Sequence, residues 1–324
     1  MKIQADTLVE LYKIMLRIRL FEEKVVDLYP EQEMKCPVHL CIGQEAIAAG
    51  VALNLRKADY VFSNHRGHGH ALAKGMGMKS MMAEFYGKAT GCSRGKGGSM
   101  HLVDVDNGIL GTSAIVGGGI PMAVGAALAS KIRNDGRVTA LFFGDGAAEE
   151  GVFHESMNFA ALKRLPIVFV CENNDYATNS PQRARHASCE IVNASRAYAM
   201  PGACIDGNDA ETVYVAAKEA IERARAGDGP TLIEAETYRW KGHVGPEADY
   251  TKGCRPEEEL KEWMERCPVK LMNERLLREG VLTAPDLIAL GAGIEEEIEE
   301  AVRFAKESPY PDKAELLTDV YYTP

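Results

Sequence analysis

Residues Val138 to Ala177 read V-T-A-L-F-F-G-D-G-A-A-E-E-G-V-F-H-E-S-M-N-F-A-A-L-K-R-L-P-I-V-F-V-C-E-N-N-D-Y-A, and this stretch decides the fold. An apolar run, Val138 to Phe143, is long enough for one buried strand, and Gly144-Asp145-Gly146 breaks it. A helical stretch follows, with Val152, Phe153, Met157, Ala160 and Ala161 at helical spacing, and Pro166 stops it. Ile167 to Cys171 make a second apolar run of strand length. Two buried strands around one helix form a βαβ unit with parallel strands and a right-handed crossover. The polar corners Gly-Asp-Gly and Asn-Asn-Asp then fall at the carboxyl ends of neighbouring strands. Open α/β sheets bind ligands there.

Gly144-x-Gly146 invites comparison with a dinucleotide fold, but the third glycine of G-x-G-x-x-G would fall on Glu149. Asp145 would also repel a pyrophosphate: two like charges at about 4 Å cost on the order of 4 kcal/mol at an effective dielectric of 20. A divalent cation between carboxylate and phosphate reverses that sign. Magnesium takes oxygen ligands, often one or two side chains plus substrate phosphates. Asn174 and loop carbonyls such as that of Tyr176 offer more oxygens, and a helix amino terminus after Gly146 would add N–H donors. A plain βα turn with a capping Asp and an Asx turn is the other reading of these residues.

G-D-G, then about twenty-six residues, then N-N resembles the thiamine diphosphate motif. The fuller G-D-G-A-A-x-x-G, E-S-M-N-F-A-A-L and L-P-I-V-F-V-C-E-N-N-D-Y-A resemble the α subunits of two-chain 2-oxo acid dehydrogenases. These are the first components of the pyruvate, branched-chain and acetoin complexes, and the likeness runs from about Arg17 to about Tyr250. It implies a doubly wound α/β fold with a mainly parallel sheet. It also implies thiamine diphosphate and Mg2+, the ion held by Asp145, Asn174 and the Tyr176 carbonyl, with Gly144, Gly146 and Ala147 around the diphosphate.

Elsewhere the likeness has to be weighed against plainer readings. His65, His68 and His70 have H-x-x-H-x-H spacing, which could suggest zinc, but Arg66 among them disfavours a second cation. An anion site suits the forked guanidinium better. The family's Tyr-Arg or His-Arg pair, which binds the diphosphate, maps onto His65 and Arg66; His68 reads as a loop-orienting or structural histidine. Cys36 to Glu45, containing H-L-C-I-G-Q-E, lies close to the active site in the family. Gly91 to His101, G-C-S-R-G-K-G-G-S-M-H, matches a family loop near the cofactor. Main-chain groups at Ala114 and Val116 meet the aminopyrimidine in the family, although Ala114 departs from its usual G-I-V-G. A lone histidine after a strand is usually structural, but Y-R-x-x-G-H places His243 against the cofactor, and imidazole titrates near neutrality, which makes it a proton donor.

By the same resemblance, the glutamate that hydrogen-bonds the coenzyme's pyrimidine and activates it belongs to a β subunit, so this chain is expected to supply half of a shared site and to be inert alone. Two α and two β chains, a small 2-oxo acid or acyloin substrate, and transfer of the acyl group to lipoamide on an acyltransferase core are expected. A two-chain thiamine enzyme with another acceptor and a non-catalytic paralogue are the alternatives. Val244 stands where mammalian relatives carry a phosphorylated serine, so kinase control by that route is not expected. R-W-K-G-H-V-G-P-E leans towards acetoin-type sequences.

The 324 residues can bury a large core, and a net charge of −10 argues against nucleic acid. Eight cysteines without C-x-x-C read as reduced thiols of a cytoplasmic protein. Met1 to Thr7 lacks a signal pattern, and the uncharged Ser113 to Ser130 reads as a tight loop entering a buried helix, not a membrane span. Thr7-x-x-Glu10 reads as a capping box for a helix to about Leu28. Asn179 to Ala187 reads as a loop, Asp209 as the cap of a helix from Ala210, and Thr231 to Glu236 as a strand. Residues 1–254 form the diphosphate-binding part. Residues 255–324 form a helical extension of it, in which Glu295 to Glu300 reads as a solvated face.

Overall fold

A computed structural model describes residues 3–318. Helices α1 (Ala5–Leu28) and α2 (Glu45–Ala52) precede strand β1 (Tyr60–Ser63). Then come α3 (His68–Ala73), α4 (Met78–Phe85), β2 (Ile109–Thr112), α5 (Gly119–Arg133), β3 (Thr139–Gly144), α6 (Gly151–Leu162) and β4 (Ile167–Asn173). A small hairpin, β5 (Tyr176–Ala177) and β6 (Ser180–Pro181), leads to α7 (Ala194–Ala197), β7 (Gly202–Asp206), α8 (Ala210–Arg225) and β8 (Thr231–Glu236). Helices α9 (Glu257–Glu265), α10 (Pro268–Arg278) and α11 (Ala284–Glu307) follow.

Six strands form one parallel sheet in the order β2-β1-β3-β4-β8-β7. Side chains alternate along a strand, so β3 serves two cores. Leu141 and Phe143 pack with Phe153 and Met157 of α6 and with α5, while Ala140 and Phe142 pack with α2 and α8. Helices therefore cover both faces, as the α/β reading expects. Gly50 of α2 is needed for this layer: a Cβ there would lie 2.6 Å from Val213 Cγ1 of α8.

The chain leaves β1 for β2 on one side and then crosses to β3 on the other. The order reverses between β1 and β3, which is the topological switch point where such sheets hold ligands. Strands β1, β2 and β7 have no counterpart in the sequence reading: each has only four or five residues, and β7 alternates between exposed and half-buried residues.

Several expectations need correction. Helix α1 starts at Ala5 after Gln4, which makes no side-chain cap; Thr7 and Glu10 already lie inside it, and Glu10 pairs with Lys13 at 2.7 Å. The apolar stripe of α1 holds that helix, so the cap is dispensable. Helix α5 is only half buried, because Pro121, Met122 and Gly125 face outward. Residues 179–187 contain β6 and a 3-10 turn at Gln182–Ala184. The acidic run of α11 is a pairing face as well as a solvated one: Glu297, Glu299 and Glu300 meet Arg17, Lys24 and Lys79. On its apolar side, Ile294, Ile298 and Ala301 share a core with Ile18 and Phe21 of α1 and Met81 and Phe85 of α4. Among the described residues no helix is long and apolar enough to cross a membrane.

Candidate cofactor site

One cleft opens at the carboxyl ends of β1, β3 and β4. Strand register sets its two polar corners, because Gly144 pairs with Glu172 and so Asp145 and Asn174 follow one another off adjacent strands. Both side chains are buried and both residues line the cleft. Burial pushes the Asp145 carboxyl pKa up, an effect opposed by the Arg185 guanidinium, which contacts Asp145 and Glu149 together. Asn174 donates from Nδ2 to Gln44 Oε1 at 3.0 Å, and that fixes its amide orientation. Its Oδ1 is buried with no hydrogen-bond partner among the described residues. A buried acceptor left unpaired costs about 1–3 kcal/mol unless a ligand completes it. Gly146 has no room for a side chain, since a Cβ would stand 2.8 Å from Ala177 Cβ. A carboxylate, an amide oxygen and nearby main-chain carbonyls form a donor set that suits a small hard cation.

Across the cleft, Arg66 is buried and holds two loops together. Its Nη1 donates to Leu40 O at 2.6 Å and its Nη2 to His243 O at 3.3 Å. These bonds bring His39 and His243 beside His65, with ring centroids 4.7 Å (His39–His65), 5.2 Å (His39–His243) and 5.3 Å (His65–His243) apart. Burial, followed by the nearby Arg66 charge, lowers all three pKa values: His39 to about 3, His65 to about 2 and His243 to about 4. All three rings are neutral at pH 7. Without a bound anion beside Arg66, the His243 imidazole thus titrates below the near-neutral range expected for it.

Residues 12–314 match the family described as dehydrogenase E1 component. The chain belongs to the dehydrogenase E1 component family. It is 46% identical over 311 residues to the α subunit of acetoin:2,6-dichlorophenolindophenol oxidoreductase of Bacillus subtilis, covering 96% of this chain and 92% of that one. It is 43% identical over 324 residues to the chloroplastic pyruvate dehydrogenase E1 component subunit alpha-3 of Oryza sativa subsp. japonica, covering 97% and 76% of the two chains. The acetoin:2,6-dichlorophenolindophenol oxidoreductase α subunit of Cupriavidus necator is 39% identical over 316 residues, covering 98% and 94%. This bears out the resemblance to α subunits of thiamine-diphosphate-dependent 2-oxo acid dehydrogenases.

In this E1 chain His65, Arg66, Val116, Gly144, Asp145, Gly146, Ala147, Asn174, Tyr176 and His243 all line the cleft, whereas Ala114 does not. The Tyr176 hydroxyl turns away and donates to Glu259 at 2.8 Å. One expectation fails for a physical reason. Helix α6 starts only at Gly151, and a 3-10 turn over Asp145–Glu149 fills the position expected for its amino terminus. The Gly91–His101 loop contributes no residue to the cleft lining and meets the segment after β1 through Ser99, which bonds His68 at 2.6 Å. The buried Glu84 carboxylate takes the N–H groups of Ser93, Gly95, Gly97 and Gly98 at 2.8–2.9 Å, leaving those four amides nothing for a phosphate. The zinc reading of H-x-x-H-x-H also fails, because His68 and His70 bond elsewhere: His68 with Glu22 and Ser99, His70 with Ser63 and Glu172. Sequence reasoning missed Gln44, Arg185 and His39. Gln44 and His39 lay in a segment expected near the site, while nothing local singled out Arg185.

Proposed function

We propose that this chain is the diphosphate-binding α subunit of a two-chain dehydrogenase acting on a small 2-oxo acid or acetoin, with thiamine diphosphate and Mg2+ as its cofactors. The observation that carries the reading is the unpaired, buried Asn174 Oδ1 beside the buried Asp145 carboxylate at the switch point. Asp145, Asn174 and the main-chain oxygen of Tyr176 would hold the ion. Arg66 and His65 would bind the diphosphate, and Gly144, Gly146 and Ala147 would let it approach the main chain. Val116, which lines the cleft, would offer main-chain groups to the aminopyrimidine; Ala114, expected beside it, lies outside that lining. When bound, thiamine diphosphate supplies an electron sink for cleavage of the bond next to the substrate carbonyl.

The protein residues then orient, exclude water and move protons. Neutral His243 accepts a proton or a hydrogen bond at the reacting end, and its ring is held there by the bond from Arg66 to its carbonyl. Anionic phosphate near Arg66 offsets the positive field that lowers the histidine pKa values, so occupancy moves them back towards neutrality. A β subunit completes the site with the glutamate that activates the pyrimidine. Two α and two β chains form the assembly, a lipoyl acyltransferase accepts the acyl group, and the complex works in the cytoplasm. The identity of 46% to an acetoin-oxidoreductase α subunit favours acetoin over pyruvate.

The test is reduction of 2,6-dichlorophenolindophenol by the chain co-expressed with its β partner. The expected result is acetoin-dependent reduction that requires thiamine diphosphate and Mg2+ and is absent from either chain alone. Reduction by the α chain alone, or reduction indifferent to the coenzyme, would overturn the proposal.

A further inference from the structure

A second groove opens at the amino ends of β4, β7 and β8. It lies between the end of α6, the segment joining α7 to β7, the last turn of α8 and the turn before β8. Its volume is about 590 Å3, in the range of small-molecule sites. The seven residues of β4 separate it from the cofactor cleft, roughly 20 Å away at the other end of the sheet. Arg164 and Arg223 both line the groove, and among the described residues neither pairs with a carboxylate. Arg225, two residues further along α8, does pair, with Asp59 at 2.7 Å. Arg223 donates from Nη2 to the Asp228 carbonyl at 2.5 Å, and its Nε is covered without a partner. The guanidinium is thus tethered at one corner with donors left over.

We propose that this groove binds a small organic anion, a phosphate monoester or a carboxylate carried on an apolar body. A guanidinium fork matches either oxyanion with two parallel hydrogen bonds. Leu162 and Pro201 supply apolar wall, and the Tyr198 ring, whose hydroxyl bonds His154 at 3.0 Å, supplies a flat one. A bare inorganic ion would leave those surfaces wet, so the apolar body adds affinity. Lys131 adds positive charge behind the rim, with its Nζ on the carbonyls of Lys163 and Arg164 at 2.6 and 3.3 Å. This corner is therefore basic on a chain whose net charge is −10.

Two forces oppose binding. Asp228 lines the same groove, and its carboxylate repels an anion. Helices α6 and α8 both end here, and a helix carboxyl end carries partial negative charge that Lys and Arg commonly offset. That plainer role does not place Arg223, which bonds the turn carbonyl of Asp228 and not a last-turn carbonyl of α8. Two guanidiniums against one carboxylate leave the groove positive. Because it is open to solvent, the attraction is weak and screened by salt.

The experiment is calorimetry of the co-expressed α and β chains, with thiamine diphosphate and Mg2+ in excess so that the cofactor cleft is filled. Phenyl phosphate, benzoate and inorganic phosphate are titrated in turn. One aromatic anion per α chain is expected, bound more tightly than inorganic phosphate and more weakly as salt rises. Whichever of phenyl phosphate and benzoate binds more tightly identifies the oxyanion, and either order supports the proposal. Arg223→Gln should weaken that binding about tenfold. Arg164→Gln, at an exposed position that folding tolerates, should do the same. Asp228→Asn, which removes the opposing charge and keeps the carbonyl that tethers Arg223, should strengthen it a few-fold. No binding of either aromatic anion, binding that inorganic phosphate equals, or binding that all three substitutions leave unchanged would overturn the proposal. Each of those results would leave the thiamine reading intact, because the three positions lie at the opposite end of the sheet from the cofactor cleft.

Discussion

His68 and His70 lie on α3 and use both ring nitrogens. His68 spans Glu22 at 2.9 Å and Ser99 at 2.6 Å; His70 spans Ser63 at 2.8 Å and Glu172 at 3.0 Å, with its ring stacked on Phe142. His65, three residues before His68, instead packs beside His39 and His243 at the cleft. Neighbours in sequence thus divide into a satisfied pair that ties loops to the sheet and a residue that lines the cleft. The adjacent asparagines divide in the same way. Asn173 donates to Gln182 at 3.1 Å and Glu234 at 2.7 Å, while Asn174 leaves an oxygen unpaired. Within these two neighbouring sets, hydrogen-bond partners, not residue type, mark which members tie the frame and which meet the cleft.

That contrast can be broken at either end. The largest expected effect is on the frame: His68→Ala should cost about 3–5 kcal/mol, because it leaves Glu22 buried without one partner. Urea unfolding measures this, and a loss below about 1 kcal/mol would deny His68 its structural place. At the cleft the pattern should invert. His243→Gln should lower turnover of the assembled enzyme by about a hundredfold while changing unfolding free energy by under about 1 kcal/mol.

A third effect follows from the lowered pKa values of His39, His65 and His243. The unfolded chain takes up protons below pH 6.5 that the folded chain refuses until about pH 4 or lower. The stability these neutral rings contribute is complete above pH 6.5 and is lost as pH falls towards 4. Each proton refused contributes a slope of about 1.4 kcal/mol per pH unit. Urea midpoints of the coenzyme-free protein should fall across that window, and His39→Gln should flatten the fall. The smallest effect concerns Arg185, which bridges Asp145 and Glu149. Arg185→Gln should lower the Mg2+ concentration for half-saturation a few-fold, by about 1 kcal/mol or less. An increase would mean that Arg185 assists the ion instead of standing in for it.

The βαβ core was legible because β3 and β4 are buried on both faces and read as unbroken apolar runs. Helix α8 announced itself through its Asp209 cap, and the helical character of residues 255–324 is realised in α9, α10 and α11. The short strands β1, β2 and β7 were not legible, since four or five residues with glycine or polar members carry no clear period. Site residues in motif positions could be named from the chain alone. What they bond to could not. The capture of the glycine-loop amides by Glu84, the meeting of His39 with His243, and the reach of Arg185 to Asp145 all depend on contacts far apart in sequence.

The most direct test of the account is calorimetric titration of thiamine diphosphate into the co-expressed α and β chains, with and without Mg2+, for the natural protein and for Asp145→Ala. The account predicts tight, Mg2+-dependent binding that falls at least a hundredfold in the variant, about 2.7 kcal/mol. Equal affinity in both proteins, or binding that ignores Mg2+, would contradict it.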